Sequence, residues 1–129
     1  MSMFTKAEQS YLTSQQVGRL ATVGADGQPH VVPVLFRYDA THDTIDIGGP
    51  DLPQSKKYRD AQHSGRVALV VDDFVFVPGQ VRGIEIRGDV EVVDRGGALL
   101  GPGYADPLLR ISPRRVVSWG VEQVAQAVA

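Results

Sequence analysis

Short apolar segments separated by tight, turn-forming residues limit what this chain can fold into. One such segment ends at Gly24-Ala25-Asp26-Gly27, and a second begins directly after it. Glycine and aspartate supply the positive-φ positions of a tight hairpin. Parallel strands would instead need a crossover connection of about a dozen residues or more, usually a helix. The spacing therefore predicts antiparallel strands, in an open sheet or a small barrel.

About six strands and two or three short helices are predicted over the 129 residues. The length suits a single domain with a core of its own, so we predict one domain over residues 1–129. Several strands, such as Arg66–Asp72, are apolar on both faces. A closed, mainly β (α+β) barrel covered outside by helices or by a partner subunit would explain this pattern.

Local signals mark both helices. Thr5-Lys6-Ala7-Glu8 has the spacing of a capping box and predicts a helix from about Thr5 to Gln16, ended by Gly18. A second helix is predicted from Ser55 to Gln62, with Ser55 as its N-cap. Ala98–Leu100 and Ala105–Leu109 predict a further helical turn or two.

Glycine and proline mark irregular points in the strands. Pro29 and Pro33 lie in the second strand, and proline cannot donate to a sheet ladder. This strand is therefore predicted to be an edge, bulged, or irregular near Pro33. A bulge is also predicted at Gly88, inside a long alternating segment.

Several classes of function lack support. The chain has no cysteine, which excludes disulfides and thiolate metal sites. Its formal net charge of −2 gives no drive for non-specific nucleic-acid binding, and no apolar run reaches the roughly 20 residues of a membrane span. The three histidines, His30, His42 and His63, lack metal-ligand spacing. We therefore predict a cytoplasmic protein without a metal site and without nucleic-acid or membrane partners.

The segment Gly48–Arg59 is the most informative for chemistry. It leads from a strand end through Gly48 and Gly49 to a helix start that carries Ser55, Lys56 and Lys57. The free N–H groups and dipole of a helix N-terminus attract anions, so a phosphate fits there. A solvated basic turn would give the same pattern.

Arginine is the main basic residue, with ten copies against three lysines. An arginine on a sheet needs a carboxylate, a phosphate or water as partner. Asp46, Glu85, Asp89 and Glu91 are suitable carboxylates, so most of the strand arginines are expected to be paired internally. One or two of them are candidates for contact with a polyanionic ligand.

Five segments in order resemble the pyridoxamine-5′-phosphate-oxidase-like superfamily of split β-barrel flavoproteins, also called the FMN-binding split barrels. The likeness is closest to the actinobacterial branch that depends on the deazaflavin coenzyme F420. It spans nearly the whole chain and rests on residues 18–34, 55–60, 66–73, 83–88 and 111–119.

The resemblance implies a six-stranded antiparallel split barrel that forms a homodimer, with a cofactor at each subunit interface. It implies that the cofactor ring lies against Val32, Pro33 and Val34. The cofactor phosphate would meet the Gly48–Gly49 turn together with Ser55, Lys56 and Lys57. Lys57 best matches the basic position at the helix start of the family.

Members of this superfamily bind FMN, F420 or, in some cases, haem or biliverdin. F420 adds several carboxylates to its phosphate, which suits the cations of Lys56, Lys57 and Arg59. We therefore predict an F420-dependent reductase that transfers a hydride to an unsaturated small organic substrate, with no catalytic side chain assigned. The alternatives are an FMN-dependent oxidoreductase and a non-catalytic protein that binds F420, FMN or a tetrapyrrole.

Overall fold

The computed structural model describes residues 1–122, and its six strands form one closed antiparallel barrel in the order β1-β2-β3-β6-β5-β4. This confirms the predicted fold class. The strands are β1 (Val17–Val23), β2 (Pro29–Asp39), β3 (Thr44–Ile47), β4 (Arg66–Val75), β5 (Gln80–Val93) and β6 (Leu108–Trp119). Two α-helices accompany them, α1 (Lys6–Ser14) and α2 (Lys56–Ser64), with single 3-10 turns at Leu52–Gln54 and Gly97–Leu99.

The barrel is split because β3 is only four residues long. It pairs with β2 over Phe36–Asp39, so residues 29–35 of β2 have β1 as their one ladder neighbour. Pro29 and Pro33 both lie in this single-sided stretch, which confirms the prediction of an edge. Proline has no backbone N–H to donate. On the open side of the strand there is no neighbouring strand, so the missing N–H groups cost no ladder hydrogen bonds.

Both predicted helix starts are confirmed. The Thr5 hydroxyl accepts from the Glu8 N–H at 3.1 Å, and the Glu8 carboxylate accepts from the Thr5 N–H at 2.9 Å. The predicted end at Gly18 is wrong: α1 ends at Ser14, and Gly18 lies inside β1. A Cβ on Gly18 would come within 2.9 Å of Leu69, so this glycine serves close packing of β1 on β4.

The bulge is confirmed at Gly88, but the extra residue belongs to the partner strand. Arg87 faces Arg115 while Gly88 faces Pro113, which leaves Arg114 of β6 unpaired in the ladder. The predicted helical turn at Ala105–Leu109 is wrong, because β6 already begins at Leu108. Leu108 and Leu109 are buried, so their apolar pair belongs to the barrel core.

The core fills the barrel with aliphatic side chains from every strand, such as Leu20, Ile47, Leu69, Ile86 and Ile111. Helix α1 adds Tyr11 and Leu12, and its Glu8 accepts a hydrogen bond from the Ser118 hydroxyl near the end of β6. Helix α2 instead packs on β1, β4 and β5. The two helices therefore cover different parts of the split sheet.

The short strand β3 is held to β6 by a buried ion pair. Arg110 donates to Asp46 through two nitrogens, at 3.0 and 3.1 Å, and the Asp46 side chain is fully buried. This contact raises the pKa of the Arg110 guanidinium. A buried carboxylate that loses its cation is strongly destabilising, so the ion pair stabilises the short seam between β3 and β6.

We expect Arg110→Met to lower the free energy of unfolding by about 3 kcal/mol or more, because Asp46 would be left buried without its cation. Arg114→Met is the matched control, since the Arg114–Asp89 pair is exposed and such pairs contribute about 0–1 kcal/mol. Urea denaturation of both variants measures the difference. Equal losses in the two variants would contradict a special role for the buried pair.

A second cluster joins α1 to the β4–β5 hairpin. The Arg82 guanidinium donates to both carboxylate oxygens of Asp73, at 2.7 and 3.0 Å, and the Tyr11 hydroxyl donates to Asp73 at 2.8 Å. Arg82 also lies 5.2 Å from the centre of the Tyr11 ring. Burial and the Asp73 carboxylate raise the pKa of Tyr11, which keeps its hydroxyl protonated as a donor.

The hydrogen bonds from Arg82 hold the pKa of Asp73 below its ordinary value of 3.8. A lowered folded-state pKa stabilises the fold above the unfolded-state pKa, and this contribution is lost as the pH falls through the folded-state pKa. We expect Asp73→Asn to cost about 1–2 kcal/mol at pH 7, with the gap to wild type narrowing below about pH 4. Urea denaturation from pH 7 to pH 3 measures this gap. For the exposed control Asp94→Asn, we expect the difference in unfolding free energy from wild type to stay constant with pH. A constant difference for Asp73→Asn as well would contradict a lowered pKa of Asp73.

Candidate functional site

The start of α2 carries the predicted basic cluster. The Ser55 hydroxyl accepts from the Tyr58 N–H at 3.3 Å and donates to the Leu52 carbonyl at 2.7 Å, so Ser55 is the N-cap as predicted. Within residues 1–122, the backbone N–H groups of Lys56 and Lys57 have no hydrogen-bond acceptor. Free N–H groups at a helix N-terminus form an anion-binding position.

The three cations of this segment differ in their partners. Lys56 pairs with Asp60 one turn further along α2, at 3.2 Å, and Arg59 donates to the Gln54 carbonyl at 3.0 Å. Lys57 is half-buried and has no ion-pair or hydrogen-bond partner in the described part of the chain. The Lys57 ammonium is therefore the charge that an external anion would neutralise.

Asp60 anchors α2 to β1, a contact that the sequence reasoning missed. Its carboxylate is buried and accepts from the Thr22 hydroxyl at 3.4 Å while also facing Lys56. The i, i+4 spacing of Lys56 and Asp60 was the available signal for the ion pair. No sequence spacing shows that Thr22 lies beneath it, because that contact joins positions 38 residues apart.

His30 lies beside this anchor and bears on whether a phosphate fits. It stands directly opposite Thr22 in the β1–β2 ladder. Its Nδ1 is buried and has no hydrogen-bond partner within residues 1–122. An orphaned buried nitrogen costs free energy unless a ligand or water satisfies it. The free Lys57 ammonium and the open N–H groups of α2 form a donor set that fits a cofactor phosphate, and the unsatisfied Nδ1 of His30 belongs to the ladder neighbour of the residue that binds Asp60 of the same helix.

The predicted ring-binding residues lie on the open edge of β2. Val32 is half-buried against the core, Pro33 is exposed, and Val34 is buried at 6% exposure. All three belong to the stretch whose one ladder neighbour is β1. Main-chain groups on the other side of this edge lie outside the ladder, so they are free to hydrogen-bond a planar ring.

The predicted glycine turn has two different environments. A Cβ on Gly48 would come within 2.9 Å of Tyr104 and 3.1 Å of Leu100, so the chain itself fills the space beside Gly48. Gly49 has no atom closer to such a Cβ than Leu52 at 3.9 Å. Its carbonyl accepts from the Ala105 N–H at 3.0 Å. Gly48 is thus packed against the loop before β6, and Gly49 is the glycine that has room for a ligand.

Most strand arginines are paired internally, as predicted. Arg110 pairs with Asp46, Arg87 with Glu85 and Arg114 with Asp89. Asp72 and Asp73 point to opposite faces, toward Arg19 and Arg82. Strand β4 continues past both residues to Val75.

The described residues contain neither a metal-binding cluster nor a helix that could span a membrane. Among residues 1–122, no three His, Cys, Asp or Glu side chains converge in a way that would hold a metal ion. His42 instead pairs with Asp39 at 2.8 Å. None of the helices described for this chain has the length and apolar character needed to cross a membrane.

Comparison with known proteins identifies relatives of this chain. The sequence model of the pyridoxamine 5′-phosphate oxidase family matches residues 4–124. A 5a,11a-dehydrotetracycline/5a,11a-dehydrooxytetracycline reductase of Streptomyces rimosus subsp. rimosus is 47% identical over 120 residues, which cover 92% of this chain and 84% of that protein.

Solved structures share the fold. A conserved hypothetical protein of Mycobacterium tuberculosis aligns with a TM-score of 0.71 and 23% identity, over 96% of this chain and 89% of its own. A structure named F420 reductase aligns with a TM-score of 0.69 and 24% identity, over 88% of this chain and 98% of its own. At such identities these likenesses establish the architecture alone. From the family match and the close reductase relative together, we conclude that the chain is an oxidoreductase that belongs to the pyridoxamine 5′-phosphate oxidase family.

Proposed function

We propose that this protein is an F420-dependent reductase acting on an unsaturated organic small molecule. The observation that carries the proposal is the unpartnered Lys57 ammonium at an open helix N-terminus, where an anionic cofactor phosphate would be neutralised. Reduced F420 would supply a hydride to one carbon of the substrate double bond, and a proton from water would complete the reduction. We further propose that the protein acts in the cytoplasm.

The residues of the chain have positioning roles in this proposal. Lys57 and the open N–H groups at the start of α2 bind the cofactor phosphate, Ser55 caps the helix that presents them, and Lys56 and Gly49 border the phosphate. Gly48 supports the turn through Tyr104. The open edge at Val32, Pro33 and Val34 provides main-chain groups and an apolar surface for the ring. The cofactor carries the chemistry, while the protein supplies binding, orientation and a dry site.

The relative from Streptomyces rimosus supports the substrate class. Its name describes the reduction of a dehydro compound with a four-ring skeleton, and it is 47% identical to this chain. We propose that the present substrate is likewise a planar, multi-ring molecule with a reducible double bond. A structure with this fold is named F420 reductase, so the fold is compatible with the coenzyme.

An FMN-dependent oxidoreductase is the second candidate, because the same anion position fits the single phosphate of FMN. The structure named FAD-binding protein from Mesorhizobium loti shares this fold with a TM-score of 0.65. A non-catalytic binding protein would use the same residues without turnover.

We also propose that the protein forms a homodimer with the cofactor between the subunits. The outer face of β1 and β2 is unusually apolar for a surface in water, with Val17, Val31 and Leu35 exposed by 40%, 64% and 50%. The ladder places Val17 beside Leu35 and Ala21 beside Val31, so these side chains form one patch. Apolar patches of this kind mark contact surfaces, and this one borders the open edge of β2.

Lys57→Met tests the phosphate position. A charge-assisted hydrogen bond contributes about 1.5–3 kcal/mol, so the variant should bind the cofactor roughly tenfold or more weakly. Lys6→Met is the control, since Lys6 is an exposed lysine at the start of the other helix. Fluorescence titration with F420 measures both variants against wild type. Unchanged affinity in Lys57→Met would contradict the proposed site.

Titration of the purified protein with F420 and FMN side by side tests the choice of cofactor. We expect tighter binding of F420, because Lys56 and Arg59 lie beside Lys57 and face a ligand that carries carboxylates as well as a phosphate. Fluorescence of each cofactor reports binding. Micromolar binding of FMN without binding of F420 would reject the first choice, and binding of F420 without any oxidation of its reduced form would favour a carrier.

A further inference from the structure

An apolar cleft of about 520 Å³ lies on the outer wall of the barrel, and none of the residues assigned to the cofactor lines it. Ala21 on its floor also belongs to the apolar patch of β1 and β2. Small and apolar side chains from adjacent strands form its floor, namely Ala21 and Val23 of β1, Pro29 of β2 and Ala68 of β4. Ala21 and Ala68 are ladder partners. Two alanines side by side leave a depression between larger neighbours, and its volume falls in the range of small-molecule sites, about 300–1,000 Å³.

Three arginines and one aspartate form the rim of this cleft: Arg66, Arg87, Arg114 and Asp89. Arg87 pairs with Glu85, and Arg114 pairs with Asp89. Arg66 is directly opposite Asp89 in the β4–β5 ladder, but its guanidinium makes no ion pair within residues 1–122. Of the three rim arginines, Arg66 is therefore the one whose charge no carboxylate within residues 1–122 neutralises.

The bulge between β5 and β6 contributes to this arrangement. Arg114 is the extra residue of the bulge, and Gly88 stands opposite it. A Cβ on Gly88 would come within 2.3 Å of the Ser112 carbonyl oxygen, so glycine is required there. The sequence features that mark the bulge thus also bring a third arginine to the rim.

We propose that this cleft binds a planar aromatic anion, with its rings on the alanine floor and its acidic oxygen on Arg66. A guanidinium binds a carboxylate through two parallel hydrogen bonds and also stacks on aromatic planes. A small inorganic anion fits the cleft poorly. It would lose its hydration, and it has no apolar surface with which to contact the floor. A multi-ring acid, phenolate or enolate satisfies both the floor and the rim.

This inference goes beyond the proposed function, because binding of the anion in the cleft requires no cofactor. The cleft adjoins the proposed cofactor position, since Pro29 on its floor precedes His30 in β2, and Thr22 contributes to the cleft and to the Asp60 anchor. Ligand binding in the cleft is measured independently of any cofactor. Failure of one proposal is therefore distinguishable from failure of the other.

The test uses anthraquinone-2-carboxylate as the probe and anthraquinone-2-carboxamide as its neutral match. Isothermal titration of the full chain should show the acid bound about tenfold or more tightly than the amide. Arg66→Gln should remove most of this preference, and Ala68→Phe should abolish binding of both probes by filling the floor. Arg95→Gln, an exposed arginine outside the cleft, should behave as wild type.

Three results would overturn the proposal. The first is equal affinity for acid and amide in wild type, and the second is an unchanged preference in Arg66→Gln. The third is an Ala68→Phe variant that changes the sedimentation-derived oligomeric state while wild type binds neither probe, which would make the cleft a contact between copies. Each variant is also titrated with F420: normal F420 binding in Ala68→Phe keeps the cofactor proposal separate, whatever the probes show.

Discussion

The shortness of β3 is the constraint on which the rest of this structure depends. A four-residue strand closes the barrel, so it pairs with only the last residues of β2 and leaves residues 29–35 with a single ladder neighbour. The seam is secured by the buried contact between Asp46 and Arg110 rather than by many backbone hydrogen bonds. A buried ion pair of good geometry is tolerable there because both carboxylate oxygens are satisfied.

The open edge that results is also where the proposed chemistry belongs. It leaves main-chain groups of Val32, Pro33 and Val34 beside an apolar surface, and α2 begins near the same end of the barrel, anchored through Asp60 to Thr22. The cation of Lys57 and the orphaned nitrogen of His30 add the means to bind an anion. The short β3 thus accounts for the open edge of β2 that forms the proposed ring surface.

The outer wall shows how packing and recognition share residues. Gly88 is needed because the bulge brings the Ser112 carbonyl close to its Cα, and the same bulge releases Arg114 to the surface of the cleft. The Asp73–Arg82–Tyr11 cluster fixes the β4–β5 hairpin against α1. These contacts stabilise β4, β5 and β6, the strands that carry the arginines of the cleft rim.

Periodicity, turn residues and caps determined the antiparallel strands, the capping box at Thr5 and Glu8, the N-cap Ser55 and the edge character of β2. These signals each involve only a few neighbouring residues, so they can be recognised in short stretches of the sequence. The closed six-stranded barrel was implied by the family resemblance, since the pattern alone fitted an open sheet or a barrel. The sequence also indicated the basic cluster at α2, but it could not rank its members. Lys56 is occupied by Asp60 whereas Lys57 is not.

Only the tertiary structure decided the contacts between distant segments. It placed Tyr104 against Gly48 and Asp60 in contact with Thr22. It also placed Leu108 inside the barrel instead of in a helix. It also brought Ala21, Ala68 and Arg66 into one cleft. The physical reason is that such contacts depend on strand register and closure, which are set by the packing of the whole core and leave no periodic mark in the sequence.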